Sequence, residues 1–276
     1  EHTIASGLAA GTHTIELWRR TESQVGISTF GAFTFPNGGQ LLAPPPAPTR
    51  RIELLGDSAS NGYGIECTDP QTPFSGATQN ERRAYPGLLA KDLAADHHDL
   101  SFAGRGVLRN YVRNDPDVFE KLYARTLPQS AAPAWDFATF PADVVWITLG
   151  GNDWDKVAPD DPPPVLADFQ AKYADLVALV RTKHPNAHIF CAVPPSLNDA
   201  YPAGWMAYSN VLTALTNVVT ARNQAPIGDA KVHLFVFSRA SSVTDLTGCE
   251  YHASPAFHRK MADEAIAAIK AKTGWP

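Results

Sequence analysis

From Arg50 onward five short apolar runs alternate with segments of helical spacing. The apolar runs are Ile52–Leu55, Leu100–Phe102, Asp143–Leu149, Ile189–Val193 and Val232–Phe237. The helical segments are Pro86–Asp96, Val165–His184, Trp205–Arg222 and a terminal Pro255–Lys272; in the second, Leu166, Phe169, Tyr173, Leu176 and Leu179 form one apolar stripe. Strands that alternate with helices pair in parallel, because each crossover returns the chain to the same end of the sheet. The expectation is an α/β protein, a three-layer α/β/α domain with helices on both faces of a parallel sheet. With 44% apolar residues the chain has enough to fill two such interfaces.

The stretch before Arg50 reads differently. Thr12–Arg19 and Ile27–Phe35 are rich in β-branched and aromatic residues and are expected as two strands of a β-sandwich. Leu42–Thr49 holds four prolines in eight residues, an extended connector. The expected organisation is a partial β-sandwich over 1–43, a Pro-rich linker over 44–49 and a catalytic domain over 50–276. Cys67, Cys191 and Cys249 form no CxxC and no zinc spacing, and leave room for at most one internal disulfide. No basic-then-apolar leader opens the sequence. A net charge of −5 argues against a nucleic-acid partner or a polybasic membrane surface, and no run approaches the length of a membrane span.

The chemistry sits after the strands. Ile52–Leu55 leads to Ser58, Leu100–Phe102 to Gly104, and Asp143–Leu149 to Gly150-Gly151-Asn152-Asp153, while His252 precedes the last helix. In open α/β sheets ligands bind outside the carboxyl ends of the strands. A serine, a glycine N–H, an amide and a histidine would meet there, which is what a serine nucleophile with a general base and an oxyanion hole requires.

These residues carry a resemblance. Gly56-Asp57-Ser58-Ala59-Ser60-Asn61-Gly62 resembles the nucleophile block of the SGNH (GDSL) hydrolases, Gly150-Gly151-Asn152-Asp153 their GxND block, Gly104 their lone glycine and His252 their C-terminal histidine. A finer resemblance is to carbohydrate esterase family 2, whose amino-terminal jelly roll ends in a stretch like Gly11–Leu17 followed by Arg20-Thr21-Glu22, and whose last block is similar to Gly248-Cys249-Glu250-Tyr251-His252. The resemblance implies a secreted or periplasmic serine esterase acting without metal or cofactor. Its implied substrates are acetylated polysaccharides or oligosaccharides such as xylan and glucomannan. Ser58 would be the nucleophile and His252 the base. Glu250 would orient the imidazole, and Ser58, Gly104 and Asn152 would form the oxyanion hole. Oligomeric state is left open. The sequence departs from the family pattern in having Glu250 where Asp is usual and Ala253 where Pro commonly follows the histidine. The piece before the proline run is also short for a whole sandwich of about 100 residues, so most of that domain is expected to be missing.

Other residues compete for these roles. Gly106 is the alternative to Gly104, which is preferred because it directly follows the short strand. Asp57 reads as a turn former and Asp153 as a support or helix cap. His258 reads as a packed or surface histidine. His97-His98 could hint at a metal, but with no further ligands nearby a solvated helix end is the expectation. Trp154 is either a sugar-stacking platform, the role taken forward as substrate-binding, or an ordinary packed or surface tryptophan.

Overall fold

A computed structural model of the chain describes residues 2–35 and 38–276. β1 (Arg50–Gly56), β2 (Ala95–Asp99), β3 (Val144–Thr148), β4 (His188–Val193) and β5 (Val232–Val236) form one parallel sheet in the order β2-β1-β3-β4-β5. Ile52 of β1 lies opposite His97 on one side and Val144 on the other. The chain therefore leaves β1 toward one edge and later crosses to the opposite side, which puts the topological switch point between β1 and β3.

β3 is buried at every position, as expected for a central parallel strand covered on both faces. Alternation along it sends Val145 and Ile147 to one face and Val144 and Trp146 to the other. Helices α3 (Leu166–Lys183) and α4 (Ala207–Asn223) cover the first face through Phe169, Tyr173, Val211 and Leu215. On the second face lie α1 (Tyr85–Asp92) and α5 (Pro255–Thr273), through Tyr85, Leu89, Phe257 and Met261. Ser254 caps α5 by accepting from the Phe257 N–H, and Pro255 occupies its first turn. A short helix α2 (Phe119–Tyr123) completes the first face. This is the expected three-layer α/β/α architecture.

Three local expectations are corrected. The first helix stops at Asp92, and the second strand is Ala95–Asp99 rather than Leu100–Phe102. The strand carries the polar sequence ADHHD, so no apolar run announces it; its pairing with β1 makes it extended. Leu100 and Phe102 still donate to Leu54 O and Gly56 O at 2.8 and 3.1 Å, prolonging the ladder beyond the strand. His97 and His98 are thus on an edge strand, not at a solvated helix end. His97 Nε2 lies 2.9 Å from Glu81 Oε1, and the His98 ring stacks on Phe140.

The third correction concerns Thr12–Arg19 and Ile27–Phe35, which join no ladder among the described residues. A segment with strand composition needs a neighbour to pair with, and none lies alongside. What this region does instead is dock. Trp18 Nε1 donates to Glu81 Oε2 at 3.1 Å while the Arg82 guanidinium sits over its ring. Arg20 pairs with Glu66 at 3.2 Å and accepts on its carbonyl from the Glu81 N–H at 3.0 Å.

Candidate active site

β1 ends at Gly56, where an added Cβ would meet Ser60 Oγ at 2.3 Å, so the strand can turn tightly into Asp57-Ser58. The Asp57 carbonyl accepts from the Ser60 and Asn61 N–H groups at 3.0 and 3.3 Å, and its carboxylate from the Ala59 N–H at 2.9 Å. Asp57 therefore builds the turn that presents Ser58, which is half-buried just beyond the carboxyl end of β1.

The loop after β2 contains both candidate glycines, and their backbones differ. Gly106 N–H already donates to Asn110 Oδ1 at 3.0 Å, and a side chain there would strike the Arg109 carbonyl. Gly104 adopts a left-handed φ of +76°, and among the described residues its N–H meets no acceptor. Of the two, Gly104 retains a donor to offer a ligand.

After β3, the Asn152 Nδ2 donates to Asp57 Oδ2 at 2.9 Å and to Arg105 O at 3.0 Å. One amide thus ties the Ser58 turn to the Gly104 loop. Asp153 is wholly buried and accepts from the Val107, Leu108 and Arg109 N–H groups, pinning the same loop from beneath. Burial pushes the Asp57 carboxyl up to about 7, against the pull of the Ala59 N–H, and the neighbouring Asp153 adds to the rise. Trp154 does not reach the site. It is 1% exposed and packs against Phe169. The platform reading is corrected: the turn after Asn152 points the indole into the core formed by α3.

His252 stands in a loop strapped to the segment following Ser58. Cys249 forms a disulfide with Cys67, and its N–H donates to Gly64 O at 3.0 Å. The His252 Nδ1 donates to the carbonyls of Cys249 and Glu250 at 3.1 and 3.2 Å. Glu250 is not against the imidazole; its carboxylate accepts from Tyr63 OH at 2.6 Å. Left-handed backbone at Glu250 and Tyr251 (φ 51° and 60°) curls the loop so that main-chain carbonyls, rather than the carboxylate, meet the ring. The Tyr63 ring lies 4.3 Å from the imidazole and stacks on Phe74. Burial lowers the His252 pKa, with the two carbonyls and the Glu250 charge opposing. His258 is packed in the core: its Nδ1 accepts from the Tyr85 N–H at 3.2 Å, and burial drives its pKa down to about 3.

Tyr63, the Cys67–Cys249 link and the docked Arg20–Gln24 segment were not singled out as site elements by sequence reasoning. Each joins residues far apart in the chain, and neither spacing nor periodicity marks such pairings.

The GDSL-like Lipase/Acylhydrolase family matches residues 54–260, and the Carbohydrate esterase 2 N-terminal family matches residues 1–45. A structure of a family two carbohydrate esterase from Clostridium thermocellum in complex with cellohexaose superposes with a TM-score of 0.78 at 32% identity, over 87% of this chain and 69% of that one. The chain belongs to the GDSL-like lipase/acylhydrolases and, among them, to carbohydrate esterase family 2. Curated relatives include the Cellulase/esterase CelE of Acetivibrio thermocellus, 34% identical over 99% of this chain and 31% of that protein. Two acetylxylan esterase / glucomannan deacetylases of Cellvibrio japonicus also match, at 29% identity over 72% of this chain and 54% of that protein, and at 28% over 97% and 71%. The chain thus spans about a third of the first of these relatives and about half of the second.

Proposed function

We propose that the chain is a serine esterase that removes O-acetyl groups from plant polysaccharides of the acetylxylan and glucomannan type, through an acetyl-enzyme. The observation that carries this is the pair of carbonyls at Nδ1 of His252. With these acceptors at Nδ1, the proton of the neutral ring resides there and Nε2 keeps its lone pair. A ring whose pKa is lowered by burial, and whose loop is tied to Tyr63, Gly64 and Cys67 in the segment that follows Ser58, is suited to act as a general base.

In this mechanism Nε2 of His252 takes the Ser58 hydroxyl proton as Oγ attacks the acetyl carbonyl carbon. The oxyanion is received by the backbone N–H groups of Ser58 and Gly104 and by the Asn152 amide. In the resting site both Asn152 amide hydrogens are engaged, so one of them is shared with the oxyanion as charge develops. The imidazolium then protonates the leaving sugar oxygen. Water, deprotonated by the same nitrogen, attacks the acetyl-enzyme and releases acetate. The two carbonyls on Nδ1 supply the orientation that a carboxylate supplies in a triad.

Support for a polysaccharide substrate comes from family membership and from exposed aromatics around the site. Tyr251 adjoins His252, and Tyr111 is bonded through its N–H to Gly104 O at 2.8 Å; both rings are open to solvent. Aromatic faces of this kind suit the apolar faces of pyranose rings. The disulfide fits an oxidising compartment, so we infer secretion or a periplasmic location. Among the described residues no helix is long and apolar enough to cross a membrane.

The test is acetate release from acetylated xylan and glucomannan by the wild type and by Ser58→Ala. Turnover in the variant is expected to drop on the order of 10⁴–10⁶-fold. Near-normal release by a folded Ser58→Ala would overturn the serine mechanism.

A further inference from the structure

The amino-terminal segment reaches the oxyanion loop directly. Glu22 is buried, with its N–H donating to the side chain of the wholly buried Gln79 at 3.2 Å. Its Oε2 accepts from the Ala103 N–H at 2.8 Å. Two residues on, Gln24 Nε2 donates to the Ala103 carbonyl at 2.9 Å and to Glu22 Oε2 at 3.3 Å. Both main-chain polar groups of Ala103 are therefore held by side chains 81 and 79 positions earlier in the sequence.

The consequence follows from peptide geometry. The Ala103 carbonyl and the Gly104 N–H belong to one planar trans unit, with C=O and N–H pointing in opposite directions. Whatever fixes the carbonyl fixes the N–H. On its far side Gly104 has a left-handed φ of +76°, a region glycine enters and leaves with little penalty. Without a clamp, that peptide is free to rotate about a glycine joint. We infer that Glu22 and Gln24 are positioning residues that lock the 103–104 peptide with its N–H aimed at the oxyanion, so that the amino-terminal segment takes part in catalysis. This rests on the esterase reading above, in which Gly104 N–H is a donor to the oxyanion.

The alternative is that the contacts only dock the segment. The two differ in what they do to kcat. An oxyanion donor acts on the transition state of both acylation and deacylation, so losing its aim lowers kcat and leaves KM nearly unchanged. Loss of docking lowers thermal stability alone.

The experiment uses the full chain and 4-nitrophenyl acetate, an ester small enough to touch only the reacting centre. Gln24→Met keeps the length of an exposed side chain and removes the donor; kcat is expected to fall about threefold to tenfold. Glu22→Ala is expected to lower kcat by about 10–100-fold, bounded above by the loss of a whole oxyanion donor. Glu22→Gln, which retains an acceptor for the Ala103 N–H, is expected to recover most of that loss. Near-UV circular dichroism confirms that each variant is folded, and if Glu22→Ala does not fold, Gln24→Met carries the test. Values of kcat within about twofold of wild type in the folded variants, or losses confined to KM or to melting temperature, overturn the inference. Turnover persisting in Ser58→Ala would instead overturn the esterase reading beneath it.

Discussion

Asp57 precedes the nucleophile by one residue and is 4% exposed. Its neighbours are the Asn152 amide, the Ala59 N–H, the Asp153 carboxylate and, more remotely, the neutral Tyr85 phenol. Its pKa stands at about 7 in the folded chain against 3.8 for an ordinary aspartate. Between those two values the unfolded chain has released this proton while the folded chain still holds it, so stability falls as pH rises through the window. The contribution is complete below 3.8 and lost by about 7. One proton sets a slope of at most about 1.4 kcal/mol per pH unit. Asp57→Asn does not titrate, so its melting temperature relative to wild type is expected to improve on going from pH 4.5 to pH 7.5. Thermal denaturation of both proteins at the two pH values measures this; an unchanged difference would rule out the raised carboxyl. A protonated Asp57 also spares the oxyanion a negative charge next to the amide that receives it.

The element that sets the catalytic geometry is the 248–252 loop. Its link to Cys67, the Cys249–Gly64 main-chain bond and the Tyr63–Glu250 bond are three ties to the segment that follows Ser58. Glu250 therefore bonds to Tyr63 and not to the ring, which it reaches only through its charge. Glu250→Ala is expected to lower kcat by about tenfold or less, while His252→Ala loses on the order of 10⁴–10⁶-fold; parallel kcat measurements decide, and equal losses would return Glu250 to the triad. The disulfide closes a span of 182 residues, and its removal in Cys67→Ser with Cys249→Ser is expected to cost about 2–5 kcal/mol in denaturant unfolding. Unchanged stability would show that the other two ties suffice. The place of Ser58, Gly104 and Asn152 at the carboxyl end of the sheet was legible in the sequence, because each follows an apolar run of a parallel α/β pattern. Glu250 was not, because whether a side chain or a carbonyl meets the imidazole depends on φ at Glu250 and Tyr251, which no residue type there dictates. Nor was β2: an edge strand of polar residues is extended only because β1 lies beside it, and Trp154 looked available only because its turn was unseen.

At the scale of the whole molecule, the chain behaves as a catalytic sheet with an arm laid across one flank. The arm's strand-like composition reports what a segment could pair with and not whether a partner is there; among the described residues it docks on the body instead. Its exposed Ile27 and Phe30 contrast with the buried Glu22, and its contacts with the body run from Trp18 to Gln24. We therefore propose that the division at the proline run separates sequence types more than it separates folding units: Arg20–Gln24 belongs with the catalytic body. Hydrogen exchange distinguishes these cases. The N–H groups of Glu22 and Val25, which donate to Gln79 Oε1 and Glu22 O, are expected to be protected to a degree approaching the sheet. Those of Thr12–Leu17 and Ile27–Phe35, which meet no acceptor among the described residues, should exchange as fast as an open chain. The Ala103 N–H is the internal monitor: it is expected to lose protection in Glu22→Ala while amides of β3 do not. Uniform protection across Thr12–Phe35 would mean that the segment forms a sheet of its own in solution, and uniform lack of it would mean that Glu22 does not hold the loop at Gly104.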